Sequence, residues 1–167
     1  HVLEQAIIYL ISRANRSIAI ETPYFLPTEN LNNALITAAL AGVKVELMIP
    51  DRTDSRLTTY AANSYLAQLL EAGVEVYRYQ AGFLHSKLLL IDERIASIGS
   101  ANMDFRSLEH NFEIAGILYD EGMTRRLRQI FEEDKRSCLR LEAESWAQRG
   151  WRVRFAESFM RLFAPLL

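Results

Sequence analysis

Two stretches of this chain, Ala41-Gly42-Val43-Lys44-Val45 and Ala72-Gly73-Val74-Glu75-Val76, are the same device used twice: a helix stops at glycine and turns straight into a β-branched strand. Before each exit lies a helical pattern. Thr28 caps the first, which carries Leu31, Leu35 and Ala38, and Asp54 is placed to cap the second, with Leu57, Ala61, Leu66, Leu69 and Leu70 on one face. An opening helix (Leu3, Ile7, Leu10, Ile11, Ala14) and a strand over 17–22, stopped by Pro23, precede them. Strands over 43–49 and 74–79 complete a βαβαβ run, which demands a parallel sheet with right-handed crossovers. No G-x-G-x-x-G follows a strand, so the alternation is not a dinucleotide site. Beyond Tyr79 three strands follow in sequence, over 84–91, 95–99 and 112–118, which makes the sheet mixed. Residues 121–140 then read as a charged helix with Met123, Leu127, Ile130 and Phe131 inward and a solvated face outward.

The chemistry concentrates in Gly82-Phe83-Leu84-His85-Ser86-Lys87 and in Gly99-Ser100-Ala101-Asn102. Residues two apart on a strand share a face, so His85 and Lys87 point the same way. An imidazole beside a fixed ammonium suits phosphoryl chemistry, because the ring attacks or protonates while the cation holds the phosphate charge. A single histidine on an apolar strand is also an ordinary core residue, and the next strand decides between the two. With Glu93-Arg94 as the centre of a hairpin turn, Lys87 falls opposite Ser100 and His85 opposite Asn102, adding a hydroxyl and a carboxamide to the patch. Asp92, an odd number of positions from His85, faces away and lies about 23 Å along a regular strand. That makes it a structural anchor.

Composition narrows the choice. A net charge of −2 lacks the basic field of a nucleic-acid binder. The single Cys138 has no disulfide partner and no nucleophile motif around it. His110 has no companion at ligand spacing, so no metal is expected, and Gly99-Ser100-Ala101 is not a G-x-S-x-G elbow. No run approaches 18 apolar residues. The chain starts in a helical pattern without Met, which reads as a fragment of something longer. From Trp146 onward four arginines stand against one glutamate, interleaved with Trp151, Phe155, Phe159, Leu162 and Phe163. Two readings of this tail stay open: a helix lying on anionic lipid, or a final helix packed on the core or on a missing domain.

His85-x-Lys87-x4-Asp92 followed by Gly99-Ser100-x-Asn102 resembles the signature of the phospholipase D superfamily. Thr22-Pro23-Tyr24-Phe25-Leu26-Pro27, the run from Gly99 to Ser107, and Asn111-Phe112-Glu113 are similar to the carboxyl-terminal half of bacterial cardiolipin synthases. The resemblance implies a phospholipase D-like α/β sandwich with a mixed, mainly parallel sheet flanked by helices. It places a catalytic half-domain in 1–145 and the basic-aromatic tail in 146–167. It further implies two His-Lys motifs meeting at one site, a phosphohistidine intermediate, and a second motif from a missing amino-terminal half or another chain. His85 is then nucleophile or general acid/base, with similarity to two-half members favouring the latter. Lys87, Ser100 and Asn102 stabilise the phosphorus charge, Glu113 orients a histidine ring, and Asp92 belongs to the catalytic motif by name. Phe105 and Arg106 would line a headgroup pocket, and Tyr24 to Pro27 would be a substrate contact or an aromatic cover on the core. The implied reaction joins two phosphatidylglycerols into cardiolipin without any cofactor, at the cytoplasmic side of a bacterial inner membrane. A phospholipase D or phosphatidylserine-synthase-like enzyme, a dimeric endonuclease and a non-catalytic half follow as alternatives.

Overall fold

A computed structural model describes residues 2–53 and 55–164. The helices are α1 (Val2–Ser12), α2 (Glu29–Leu40), α3 (Arg56–Glu71), α4 (Glu121–Lys135), α5 (Ala143–Ala147) and α6 (Trp151–Arg161). The strands are β1 (Ser17–Glu21), β2 (Phe25–Leu26), β3 (Lys44–Pro50), β4 (Glu75–Tyr79), β5 (Leu88–Ile91), β6 (Ile95–Gly99), β7 (Met103–Asp104), β8 (Ala115–Leu118) and β9 (Cys138–Arg140). Seven of them form one sheet in the order β8-β6-β5-β1-β3-β4-β9, and β2 pairs with β7 separately. The parallel centre is β1, β3 and β4; β5, β6 and β8 extend it antiparallel on one side, and β9 on the other.

The repeated exit behaves as its glycines require. Gly42 and Gly73 adopt φ of +89° and +91°, a left-handed conformation that strains residues with a Cβ. In both, the glycine N–H returns to the helix (Gly42 to Ala39 O, 3.0 Å; Gly73 to Leu70 O, 3.1 Å). The following valine N–H reaches one residue further back (Val43 to Ala38 O, 3.0 Å; Val74 to Leu69 O, 2.9 Å). This double bond is the Schellman termination, and it aims the chain directly into β3 and β4.

Alternation along the strands sorts the core into two layers. Ile18, Ile20, Val45, Leu47, Val76 and Leu89 face α1, α2 and α3, while Ala19, Met48, Leu88, Leu90 and Ala96 face Phe131 of α4. Helix α4 is held by charge as well as by packing. Glu46, fully buried in the middle of β3, receives Arg128 and Lys135 from α4, and Lys44 at 3.1 Å. Part of the helix face expected to be solvated is thus turned inward, and Met123 and Ile130, expected inside, are 49% and 45% exposed.

Four further expectations are corrected. The chain over 136–140 is not helical: after the α4 cap at Arg136 it becomes the edge strand β9, pairing with the last residues of β4. The cap of α3 is Ser55, which accepts the Thr58 N–H; Asp54 lies outside the described residues. The strand expected over 112–118 begins at Ala115. Finally, β5 begins at Leu88, not at 84, so His85 and Lys87 stand just ahead of the ladder. Among the described residues no helix is long and apolar enough to cross a membrane.

Candidate functional site

His85 and Lys87 sit on the segment that enters β5, at the carboxyl-terminal end of β1, since Leu88 pairs with Glu21. Irregular chain at the ends of parallel strands is where an open α/β sheet exposes side chains to a ligand. The His85 ring is exposed and stacks on Phe83, with centroids 5.4 Å apart and planes at 21°. The segment is pinned from below by Ser86, whose hydroxyl donates to the buried Glu21 carboxylate. Burial holds the Glu21 carboxyl above its usual range, with Ser86 opposing and Asp134 adding to the rise. Lys87 donates to the His85 backbone carbonyl at 2.8 Å. Burial lowers its ammonium below the ordinary value, against the pull of the Glu113 and Asp104 carboxylates.

Those two carboxylates bring in the remaining residues. Glu113 accepts from the Ser100 hydroxyl and, at 3.3 Å, from the Asn111 carboxamide. Asp104 accepts from the Asn102 carboxamide at 3.2 Å and from the Ser107 N–H at 2.7 Å. The carboxamide oxygen of Asn102 is buried without a partner, an acceptor open to a donor. Ser100 is fixed by exchange with the strand leading into β8, donating its N–H to Ile114 O (2.9 Å) and accepting the Ile114 N–H (3.1 Å). This approach explains Gly99: a Cβ there would lie 2.0 Å from the Ile114 carbonyl oxygen.

Lys87, Ser100, Asn102 and Glu113 are therefore assembled, though not through the expected hairpin register. The ladder pairs Leu88 with Ile98 and Ile91 with Ile95, one residue short of the register that sets Lys87 against Ser100. The turn is Asp92-Glu93-Arg94, with φ of 52° at Asp92 and 54° at Glu93. Asn102 is instead carried in by the strand pair β2–β7, locked where the Met103 N–H donates to Thr22 at 3.2 Å. Phe25 and Leu26 are buried in that pair as core residues, and half-buried Phe105 packs against the core, while Arg106 is exposed.

Asp92 stands at the opposite end of β5 from His85. Its carboxylate accepts the backbone N–H groups of Asn15 (2.9 Å), Arg16 (2.8 Å) and Ser17 (2.9 Å), joining the β5–β6 turn to the start of β1. Burial alone would raise its carboxyl; the three N–H donors outweigh it and hold the group below the ordinary 3.8. A depressed carboxyl contributes stability above its unfolded value and loses it as pH falls through the folded one. Asp92→Ala is expected to lower the unfolding free energy of the chain by about 2 kcal/mol at neutral pH. In urea titrations the gap from wild type should be full above about pH 5 and close in stronger acid.

Phe83 and Asp104 are the site residues that sequence reasoning missed. Phe83 carried a signal, since it precedes His85 by two residues in extended chain. Asp104 carried none, because its partner Asn102 is placed by the β2–β7 pair.

The architecture belongs to a class of known structures. A phosphatidylserine synthase of Haemophilus influenzae Rd KW20 superposes with a TM-score of 0.80 over 99% of this chain and 45% of that one, at 18% identity. A phospholipase D family member, Nuc from Salmonella typhimurium, does so with a TM-score of 0.73 over 83% and 90%, also at 18% identity. The fold is that of a phospholipase D-like half. Residues 7–135 match the family model described as cardiolipin synthase, PLD-like domain, and the chain belongs to that family. It is 46% identical over 166 residues to the cardiolipin synthase of Geobacillus kaustophilus, covering 99% of this chain and 33% of that protein. With cardiolipin synthase 1 of Staphylococcus epidermidis it shares 44% over 167 residues, covering 100% and 34%. The chain thus spans about a third of the length of the curated relatives it matches.

Proposed function

We propose that this chain is one half of a phosphatidyl transferase that makes cardiolipin from two phosphatidylglycerols at the cytoplasmic face of a bacterial cell membrane. The observation that carries the reading is the convergence of Lys87, Ser100, Asn102 and Glu113, with the exposed imidazole of His85 two residues ahead of Lys87. A cation, a hydroxyl and a carboxamide suit the charge that develops on a pentacoordinate phosphorus. One histidine serves half of the reaction. The exposed apolar residues Phe112 and Ile114, at the start of the β8 edge, flank the site and are suited to a second half that brings the other His-Lys motif, from the remainder of the protein or a second chain.

In the proposed sequence one histidine attacks the phosphorus of phosphatidylglycerol. A P–N bond forms, the bond to the glycerol headgroup oxygen breaks, and the departing alkoxide takes a proton from the other histidine. The hydroxyl of a second phosphatidylglycerol then returns a proton to that histidine as its oxygen forms the new P–O bond and the P–N bond breaks. Cardiolipin and glycerol leave, and the enzyme is restored. His85 is assigned as the acid/base member. Glu113, which contacts Ser100 and Asn111 and not the His85 ring, is assigned to orient the histidine of the second motif. Asp92 acts on the reaction only through the fold.

Supplying the complete protein with labelled phosphatidylglycerol tests this. Cardiolipin and free glycerol in equal amounts are expected; phosphatidate and glycerol without cardiolipin would favour the second reading, a hydrolase or a transferase to another alcohol.

A further inference from the structure

Helix α6 is amphipathic in the reverse of the usual sense. Its inner face is the polar one: Glu157 is 2% exposed, paired with Arg149 and accepting the Asn63 carboxamide at 3.1 Å, and Arg161 lies over the Tyr65 ring. These contacts, with Met160 against the core, hold α6 on α3. Its outer face carries Trp151 (72% exposed), Phe155 (67%), Phe159 (50%) and Leu162 (72%). At about 100° per residue these four fall within roughly 80° of one another, with no other residue of the helix between them. Arg152 and Arg154, both exposed, flank the stripe on either side, and from 150 to 164 the only acid is the buried, paired Glu157. A helix held on the core by polar contacts has no folding reason to present four large apolar side chains to water.

We infer that the outer face of α6 docks the protein on an anionic bilayer, with the aromatic stripe in the acyl boundary and Arg152 and Arg154 at headgroup phosphates. Arginines bordering an apolar stripe are suited to that boundary, where their stems lie along the apolar surface and their heads reach the phosphates. The choice of lipid over the remaining two thirds of the protein as occupant rests on the reading of the site given above. A second half would join at the β8 edge, and α6 lies on α3, the crossover between β3 and β4, four or more strand spacings or at least roughly 19 Å away. The stripe nevertheless starts at the end of the sheet that carries His85. Val153 of α6 lines a groove with Asp51 and Arg78, at the carboxyl-terminal ends of β3 and β4.

Flotation of the chain with vesicles of equal parts phosphatidylglycerol and phosphatidylcholine tests this. Wild type is expected to float with them and to bind phosphatidylcholine vesicles about tenfold more weakly. The Phe155→Glu/Leu162→Glu double substitution should lower binding to the mixed vesicles by at least about tenfold with an unchanged circular dichroism spectrum. Leu40→Glu, at an equally exposed leucine on α2, should bind as wild type. His85→Ala should also float as wild type, so that failure of the lipid surface and failure of the assigned reaction are read separately. Wild-type flotation of the double variant would overturn the inference. So would a chain that self-associates through this face, shown by a dimer that the double variant converts to monomer while vesicle binding is unchanged.

Discussion

Replacing His85 by alanine in the complete protein is expected to reduce cardiolipin formation from labelled phosphatidylglycerol by at least about 10³-fold. The size follows from where the ring stands. It is exposed, it stands on the same segment two residues ahead of Lys87, and it stacks on Phe83. Its loss would remove the proposed proton carrier while Lys87 keeps its bond to the residue 85 carbonyl and Ser100 its anchor in Glu113, so substrate affinity should change much less than turnover. A variant that retains transfer within tenfold of wild type would remove His85 from the reaction and leave this half a structural partner.

The largest stability effect is expected at the other end of the sheet. Glu46 is buried in β3, with Arg128 and Lys135 brought to it by α4. Removing both with Arg128→Ala/Lys135→Ala leaves a buried carboxylate facing only the half-exposed Lys44. This should cost about 3–5 kcal/mol, a fall on the order of 10 °C in Tm for a domain of this size. Adding Glu46→Leu should recover much of the loss, because a well-packed apolar residue replaces a buried ion pair at little net cost. The pH dependence has a defined sign. Burial would raise the Glu46 carboxyl, yet Lys135, Arg128 and Lys44 together hold it below its ordinary 4.5. Burial would lower the Lys135 ammonium, yet Glu46 holds it above 10.5. The contribution is therefore whole between about pH 5 and 10; it is lost in acid as the carboxyl takes its proton, and in alkali as the ammonium gives its proton up. Thermal melts of wild type and double variant across pH should show a constant gap in the middle that narrows at both ends.

Glu46 also marks where sequence reading reaches its limit. Within 43–49 it occupies the alternate position between Val45 and Leu47, and nothing local says that its face is buried; the answer lies in Arg128 and Lys135, more than eighty residues away. The repeated glycine exit was legible because a left-handed glycine and its two returning N–H bonds are a local matter. The hairpin register was not. A turn that places non-glycine Asp92 and Glu93 at positive φ is held by the contact of Asp92 with Asn15, Arg16 and Ser17, at the far end of the chain. Residues 136–140 continued the charged pattern of α4, and three residues are too few for strand alternation to register, so the edge strand on β4 emerged only with its partner. The candidate residues Lys87, Ser100, Asn102 and Glu113 could be proposed from type and spacing, whereas the β2–β7 pair that delivers Asn102 was hidden in buried Phe25 and Leu26.

The proposed reaction requires a covalent phosphatidyl-enzyme at a two-histidine site, with His85 proposed as one of the two. The most direct measurement mixes the complete protein with phosphate-labelled phosphatidylglycerol, quenches in detergent within the first turnover and counts label on the protein. The expected result is label approaching one per site, stable in alkali and labile in acid as a P–N bond should be, and formed far more slowly in His85→Ala, which lacks the group that protonates the departing alkoxide. Rapid cardiolipin formation with no label on the protein at any time would contradict the account.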